Sequence, residues 1–359
     1  MNLKKKVSAG VLAVCLAAGL VPGNASASPS PEVPVPAELK YLQHEFNNLN
    51  LPAPPQFPDA PDLTEKFKVG PGRQGPIPLP TPPAAPGPVN PHVRESYVSF
   101  GDSLAANPTA LDTAMTRAKK KNPNLYWPTL ENKNTNCAQG SNRFPVEAAE
   151  KTGLRLEDYS CGGATAYVGQ NSRSTFLHDT LGGQVDRAIN DGALNGDTQL
   201  VSISIGVNDL WQPGNYDNVG QEGRNAKFRK AVGGALQRIK AAAPNAKVVM
   251  LGLPDQTDGA NHTCATNLLG MVSHWYFPIV SYYQDELRNI QRAVSQENGV
   301  EYLDMVAEIN LARGNNGCST SPNRLSAAIF DDAPHNFTFH LTDAGLTYYA
   351  NRLAQTYNA

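Results

Sequence analysis

Beyond residue 92, apolar strand-like runs alternate with helix-like stretches, which predicts an α/β fold with a five-stranded parallel sheet between two layers of helices. A second observation supports this: several candidate strands end in short polar turns, the places where an open α/β sheet presents its side chains. No repeat of solenoid length competes with this reading.

The candidate strands are, in order, Ser96–Phe100, Glu157–Ser160, Leu200–Ile205, Lys247–Leu251 and Val300–Met305. Between them lie the candidate helices Pro145–Thr152, Gln184–Asp191, Arg224–Ala243 and Tyr282–Glu297. Pro244-Asn245-Ala246 closes the third helix and opens the fourth strand. An amphipathic stretch, Leu346 to Leu353, forms a terminal helix.

The first residues are not part of this fold. Lys4-Lys5-Lys6, the apolar run Val7 to Leu20 and Ala25-Ser26-Ala27 are the three parts of a secretory signal, with cleavage expected near Ala27. Cys15 falls inside it, and the bulky Val14 before it argues against lipid attachment. The chain therefore divides into a signal peptide (1–27), a proline-rich extension (28–92) and the α/β domain (93–359). The extension, with Pro76-Ile77-Pro78-Leu79-Pro80-Thr81-Pro82-Pro83 in it, reads as a semi-rigid spacer able to span cell-wall polymer. Ala37 to Leu51 has helical spacing and suits docking on the domain instead. No later segment offers the roughly 20 apolar residues of a membrane span. The mature chain is expected to be a secreted or envelope-associated monomer.

A formal net charge of −2 argues against a dedicated nucleic-acid binder. Lys119-Lys120-Lys121 is the tight basic run, either a solvated helix end or an attraction for anionic envelope surfaces. Four cysteines remain after the signal, an even number in a chain bound for an oxidising compartment, so two disulfides are expected. Three pairings are open. Zinc is disfavoured, because no Cys-x-x-Cys pair exists and His262-x-Cys264 has no second cluster nearby.

Four segments carry the chemistry. Gly101-Asp102-Ser103 ends the first strand with a hydroxyl lifted on a turn. Cys161-Gly162-Gly163-Ala164-Thr165 and Gly206-Val207-Asn208-Asp209 follow the second and third strands, and Phe339-His340-Leu341-Thr342-Asp343-Ala344-Gly345 leads into the terminal helix. Singly, each also suits an ordinary cap or tight turn. Together, in this order, they resemble the SGNH branch of the GDSL esterase and lipase family over residues 96–359.

The resemblance implies a flavodoxin-like strand order and a serine esterase that needs no metal or organic cofactor. Ser103 would be the nucleophile and His340 the general base. The backbone N–H groups of Ser103 and Gly163 and the side-chain amide of Asn208 would form the oxyanion hole. Similarity to secreted actinobacterial members implies sequential disulfides, Cys137–Cys161 and Cys264–Cys318. In the commonest family pattern an Asp precedes the histidine by three residues, but Phe337 stands there. Asp332 is the expected replacement, with Asp331 or a main-chain carbonyl near Phe337 as alternatives. A further possibility is that His335, three residues after Asp332, is itself the base.

The expected partner is an ester substrate, a lipid or an acylated envelope glycan, and transfer to another alcohol is an alternative to hydrolysis. A non-catalytic envelope-binding protein of the same fold is the reading from another class. Leu268 to Tyr283 is rich in apolar and aromatic residues and is expected either to line an acyl pocket or to be a buried helix. Leu104 to Asn136 is expected to wall the cleft.

Overall fold

The computed structural model describes residues 95–127, 137–167, 179–211 and 220–359. The signal peptide and the whole proline-rich extension, including Ala37 to Leu51, lie outside the described residues, as do 128–136 of the segment expected to wall the cleft.

Five strands form the central sheet: β1 (Ser96–Gly101), β2 (Arg155–Asp158), β3 (Thr198–Ser204), β4 (Lys247–Leu251) and β7 (Glu301–Leu303). All neighbours pair in parallel, in the order β2-β1-β3-β4-β7. That is the flavodoxin-like order, and chain direction across the sheet reverses beside β1. A smaller sheet, ordered β6-β5-β8, comprises β5 (His262–Leu268), β6 (Met271–Tyr276) and β8 (Phe330–Asp331).

The helices are α1 (Ser103–Ala106), α2 (Ala110–Lys121), α3 (Phe144–Thr152), α4 (Leu181–Asn190), α5 (Val207–Trp211), α6 (Gly220–Ala242), α7 (Pro278–Glu297), α8 (Met305–Glu308) and α9 (Asp343–Asn358). Both faces of the sheet are covered, so β1 is buried along its whole length. Successive side chains of a strand point to opposite faces. Val98, Phe100, Val201 and Ile203 accordingly join α4, α6 and α7 in one apolar layer. Tyr97, Leu200, Val249 and Leu251 join α3 and α9 in the other.

Two strands, β2 and β7, end two residues earlier than their hydrophobic pattern suggests, each because an aspartate stops it. The Asp158 carboxylate accepts the Ser160 N–H at 3.0 Å and its hydroxyl at 2.7 Å, turning the chain out of β2. Asp304 accepts from Ala307 N and caps α8, which shortens β7 to three residues. Leu268 to Tyr283 is also corrected. Its first part is neither a buried helix nor a pocket wall, but the tip and second strand of the β5–β6 hairpin, with Leu269, Met271 and Tyr276 exposed. The helix begins at Pro278 and buries Val280 and Tyr283. Among the described residues, no helix is long and apolar enough to cross a membrane.

Candidate active site

Ser103 follows β1 directly, as the first residue of α1. Buried Asp102 caps that turn, accepting the Leu104 N–H at 3.0 Å, while its own N–H donates to the Ser204 carbonyl at 2.9 Å. Gly101, one residue earlier, is gripped on both sides by the buried Gln184 side chain. Its N–H donates to Oε1 at 2.9 Å and its carbonyl accepts from Nε2 at 2.8 Å. Cys161 N–H adds a bond to the same carbonyl at 2.9 Å, joining the turns after β1 and β2.

The turn after β2 carries Gly163 at φ +82°, in the left-handed region that glycine enters without a steric cost. The Cys137–Cys161 disulfide closes on the same turn. Asn208, near the start of α5, donates from Nδ2 to the Ala164 carbonyl at 2.9 Å. Its neighbour Asp209 accepts from Ala166 N at 2.8 Å and Tyr167 N at 3.1 Å. The turns after β2 and β3 are thereby fastened together, beside the turn after β1 that carries Ser103.

His340 closes the site from the far end of the chain. Its Nε2 lies 2.8 Å from Ser103 Oγ, and its Nδ1 lies 2.8 Å from the Thr338 carbonyl oxygen. A carbonyl can only accept, so the proton sits on Nδ1 and Nε2 presents its lone pair to the serine hydroxyl. The backbone that allows this is strained: Phe339 has φ +59°, a conformation a bulky residue rarely adopts. The Gln256 amide holds it, donating to the Phe339 carbonyl at 3.2 Å, and His340's own carbonyl accepts from Ala327 N at 2.9 Å. Phe337, in the position where the family pattern has an acid, packs edge-on against the imidazole at 5.2 Å between ring centres. Beyond the histidine, Leu341 is anchored in the core and Thr342 caps α9. Gly345 meets the Leu325 carbonyl so closely that a Cβ would sit 1.8 Å from its oxygen.

Asp332, the expected acid, is elsewhere. Its carboxylate accepts the Leu269 N–H at 2.6 Å and pairs with the Arg324 guanidinium, and these two hold its carboxyl below the usual carboxylate range. Asp331 is also taken up by Arg324 and by the Ala328 and Ala333 N–H groups. Backbone demand explains the correction: both acids stabilise the loop and hairpin before they can reach an imidazole. His335 turns its Nδ1 to the Ala333 carbonyl at 2.6 Å, and it is His340 that meets the serine. The second disulfide, Cys264–Cys318, ties the small sheet to the loop preceding His340.

Burial sets the electrostatics. It pushes the His340 imidazole down to about 4, with His335 adding to the shift and the Thr338 carbonyl opposing it. Burial also lifts Asp102 and Asp209 to about 7, against the N–H groups each accepts from. Sequence reasoning placed these two aspartates inside their motifs without a role, and passed over Gln184 and Gln256. An amide inside a helix or loop gives no sequence sign that it will clamp a distant backbone.

The family model for GDSL-like lipases and acylhydrolases matches residues 99–347. The chain belongs to this family. Among solved structures it is similar to phospholipase A1 of Streptomyces albidoflavus, at 18% identity and a TM-score of 0.43, covering 74% of this chain and 98% of that one. An extracellular lipase of Streptomyces rimosus aligns at 19% identity and a TM-score of 0.44, over 73% and 99% of the two chains. A carbohydrate acetylesterase of Sinorhizobium meliloti gives 13% identity and a TM-score of 0.42, over 73% and 97%. No curated protein sequence matches the chain.

Proposed function

We propose that this GDSL-family chain is a secreted serine esterase that hydrolyses carboxylic esters through an acyl-enzyme on Ser103. The observation that carries the reading is the relay from Ser103 Oγ through His340 to the Thr338 carbonyl, both contacts at 2.8 Å. Ser103 Oγ attacks the ester carbonyl as its proton passes to Nε2. The imidazolium formed keeps its Nδ1 proton on the Thr338 carbonyl. The new oxyanion is met by Ser103 N–H, Gly163 N–H and the Asn208 amide, each worth on the order of 3 kcal/mol in the transition state.

A base buried to a pKa of about 4 is weak in the resting site, so the developing oxyanion must offset the cost of charging it. When the intermediate collapses, Nε2–H protonates the departing alcohol. The same nitrogen then activates the water that frees the acid and restores Ser103.

The Lys4–Lys6 and Val7–Leu20 leader, together with two disulfides, supports export with cleavage near Ala27. In this reading the extension over residues 28–92 spans envelope polymer, and a monomeric domain over 93–359 acts on lipid or acylated glycan. Turnover of p-nitrophenyl esters of graded length by the mature chain tests the reaction and the size of the acyl site together. Ser103→Ala and His340→Ala should each lower it by at least about 10⁴-fold. Hydrolysis that survives Ser103→Ala overturns the mechanism.

A further inference from the structure

The β5–β6 hairpin carries a group of apolar side chains that neither core nor candidate site accounts for. Leu268 is 42% exposed, Leu269 86%, Met271 68% and Phe330 36%. Register puts most of them on one face: Leu268 pairs with Met271, and Phe330 lies opposite Thr266, two residues before Leu268. Leu269 crowns the turn at φ +53° with Gly270 at φ +77°. Such two-residue turns take Asn-Gly or Asp-Gly by preference, so a leucine there is both strained and bare to solvent.

This tip is held rigidly. Asp332 caps the Leu269 N–H, the buried Asn267 donates to the Gly317 carbonyl at 2.9 Å and the Ser319 carbonyl at 2.7 Å, and the Cys264–Cys318 disulfide fixes the strand. Strain and exposure maintained by so many bonds need a reason outside folding.

The chemistry of the surroundings selects the occupant. Residues 259–284 contain no Asp, Glu, Lys or Arg, in a chain where 17% of residues are charged, and the acids beside the hairpin tip, Asp331 and Asp332, are both paired with Arg324. Leucine and methionine form the tip, whereas Trp275, Tyr276 and Phe277 stand at the hairpin's base. An apolar end followed by an aromatic band is the order in which a segment meets acyl chains and then headgroups. A two-residue turn is convex and offers no walls for a single acyl chain.

We infer that the Leu268–Met271 tip, with Phe330, is an insertion point that docks the protein on an electrically neutral lipid surface. Ala327 and Ala328 bond to the backbone of His340 and Phe339. Phe330 follows Ala328 by two residues, at most about 7 Å of extended chain, so a docked surface lies beside the loop that carries the histidine. Docking itself does not require the esterase reading, and the experiment separates the two.

Flotation of the mature chain with phosphatidylcholine vesicles measures docking, and p-nitrophenyl acetate in free solution measures turnover. Leu269→Asn suits the left-handed turn and should fold at least as well as the parent. It should lower the vesicle partition coefficient about ten- to a hundredfold, with soluble-ester turnover unchanged. Met271→Ser should act in the same direction, and Ser103→Ala should float like the parent. The inference is overturned if the parent does not float, or if Leu269→Asn with Met271→Ser floats equally well. It is also overturned if the parent self-associates and these changes abolish association instead, which would assign the patch to a second copy.

Discussion

Replacing Asp332 with Asn, and following kcat/KM across pH, separates the two ways of orienting the histidine. In the structure the Asp332 carboxylate serves Leu269 N–H and Arg324, and the imidazole proton rests on a peptide carbonyl. Among the described residues no carboxylate therefore lifts His340, and burial leaves it at about 4. At pH 5 such an imidazole is about nine-tenths neutral, whereas one at the ordinary 6.5 would be about 3% neutral, a difference of roughly thirtyfold in competent enzyme. The assay is hydrolysis of p-nitrophenyl acetate between pH 4 and 8, read at the pH-independent isosbestic wavelength, for parent and Asp332→Asn. Both should hold most of their activity at pH 5, fall together through about pH 4, and differ by less than about threefold on the plateau. A plateau loss near 10⁴-fold in Asp332→Asn, or an acid limb close to pH 7, would refute the carbonyl-oriented base.

Asn208→Ala should lower kcat for the same ester by about 10²–10³-fold with little change in KM, as steady-state kinetics will show. Gln184→Leu strands the buried Gly101 N–H and should cost about 1–3 kcal/mol in urea unfolding. Removing the Cys264–Cys318 bridge, whose cysteines are 54 residues apart, should cost about 4 kcal/mol by the same measurement. The titrations of the site oppose one another in stability. Asp102 and Asp209, raised above 3.8, stabilise fully below that pH and lose their contribution as pH rises through about 7. His340, lowered from 6.5, contributes above that pH and loses it as pH falls through about 4. Melting temperatures of Asp102→Asn across pH 4–8 should therefore fall less steeply with rising pH than those of the parent.

The central sheet was readable because its inner strands are buried on both faces, and Tyr97–Phe100 or Leu200–Ile203 stand out as apolar runs broken only by Ser99 or Ser202. Ser103, Gly163 and Asn208 were singled out because turns after parallel strands share one edge, and His340 because its motif leads into the terminal helix, where the family resemblance places the histidine; the structure brings Ser103 and His340 into contact. Asp332 was the expected acid, with a main-chain carbonyl near Phe337 among the alternatives, and the choice between them stayed open because spacing along the chain reports nothing about a positive-φ residue. Phe339 folds the Thr338 carbonyl back onto the ring, and Arg324 withdraws both nearby carboxylates. The β5–β6 hairpin was missed for a related reason. Its aromatic and β-branched residues suit helix or strand over so short a stretch, and the Leu269-Gly270 turn lacks the asparagine or aspartate that marks such turns.

A hydrogen-bond acceptor that belongs to the peptide chain is encoded at no single codon. Side-chain scanning of this protein would find a nucleophile and a base and then report a dyad, since every replacement at residue 338 except those that bend the backbone retains the oxygen that faces the imidazole. Genetic drift at that position is correspondingly free, and what selection must guard instead is the twist at residue 339 that aims the oxygen.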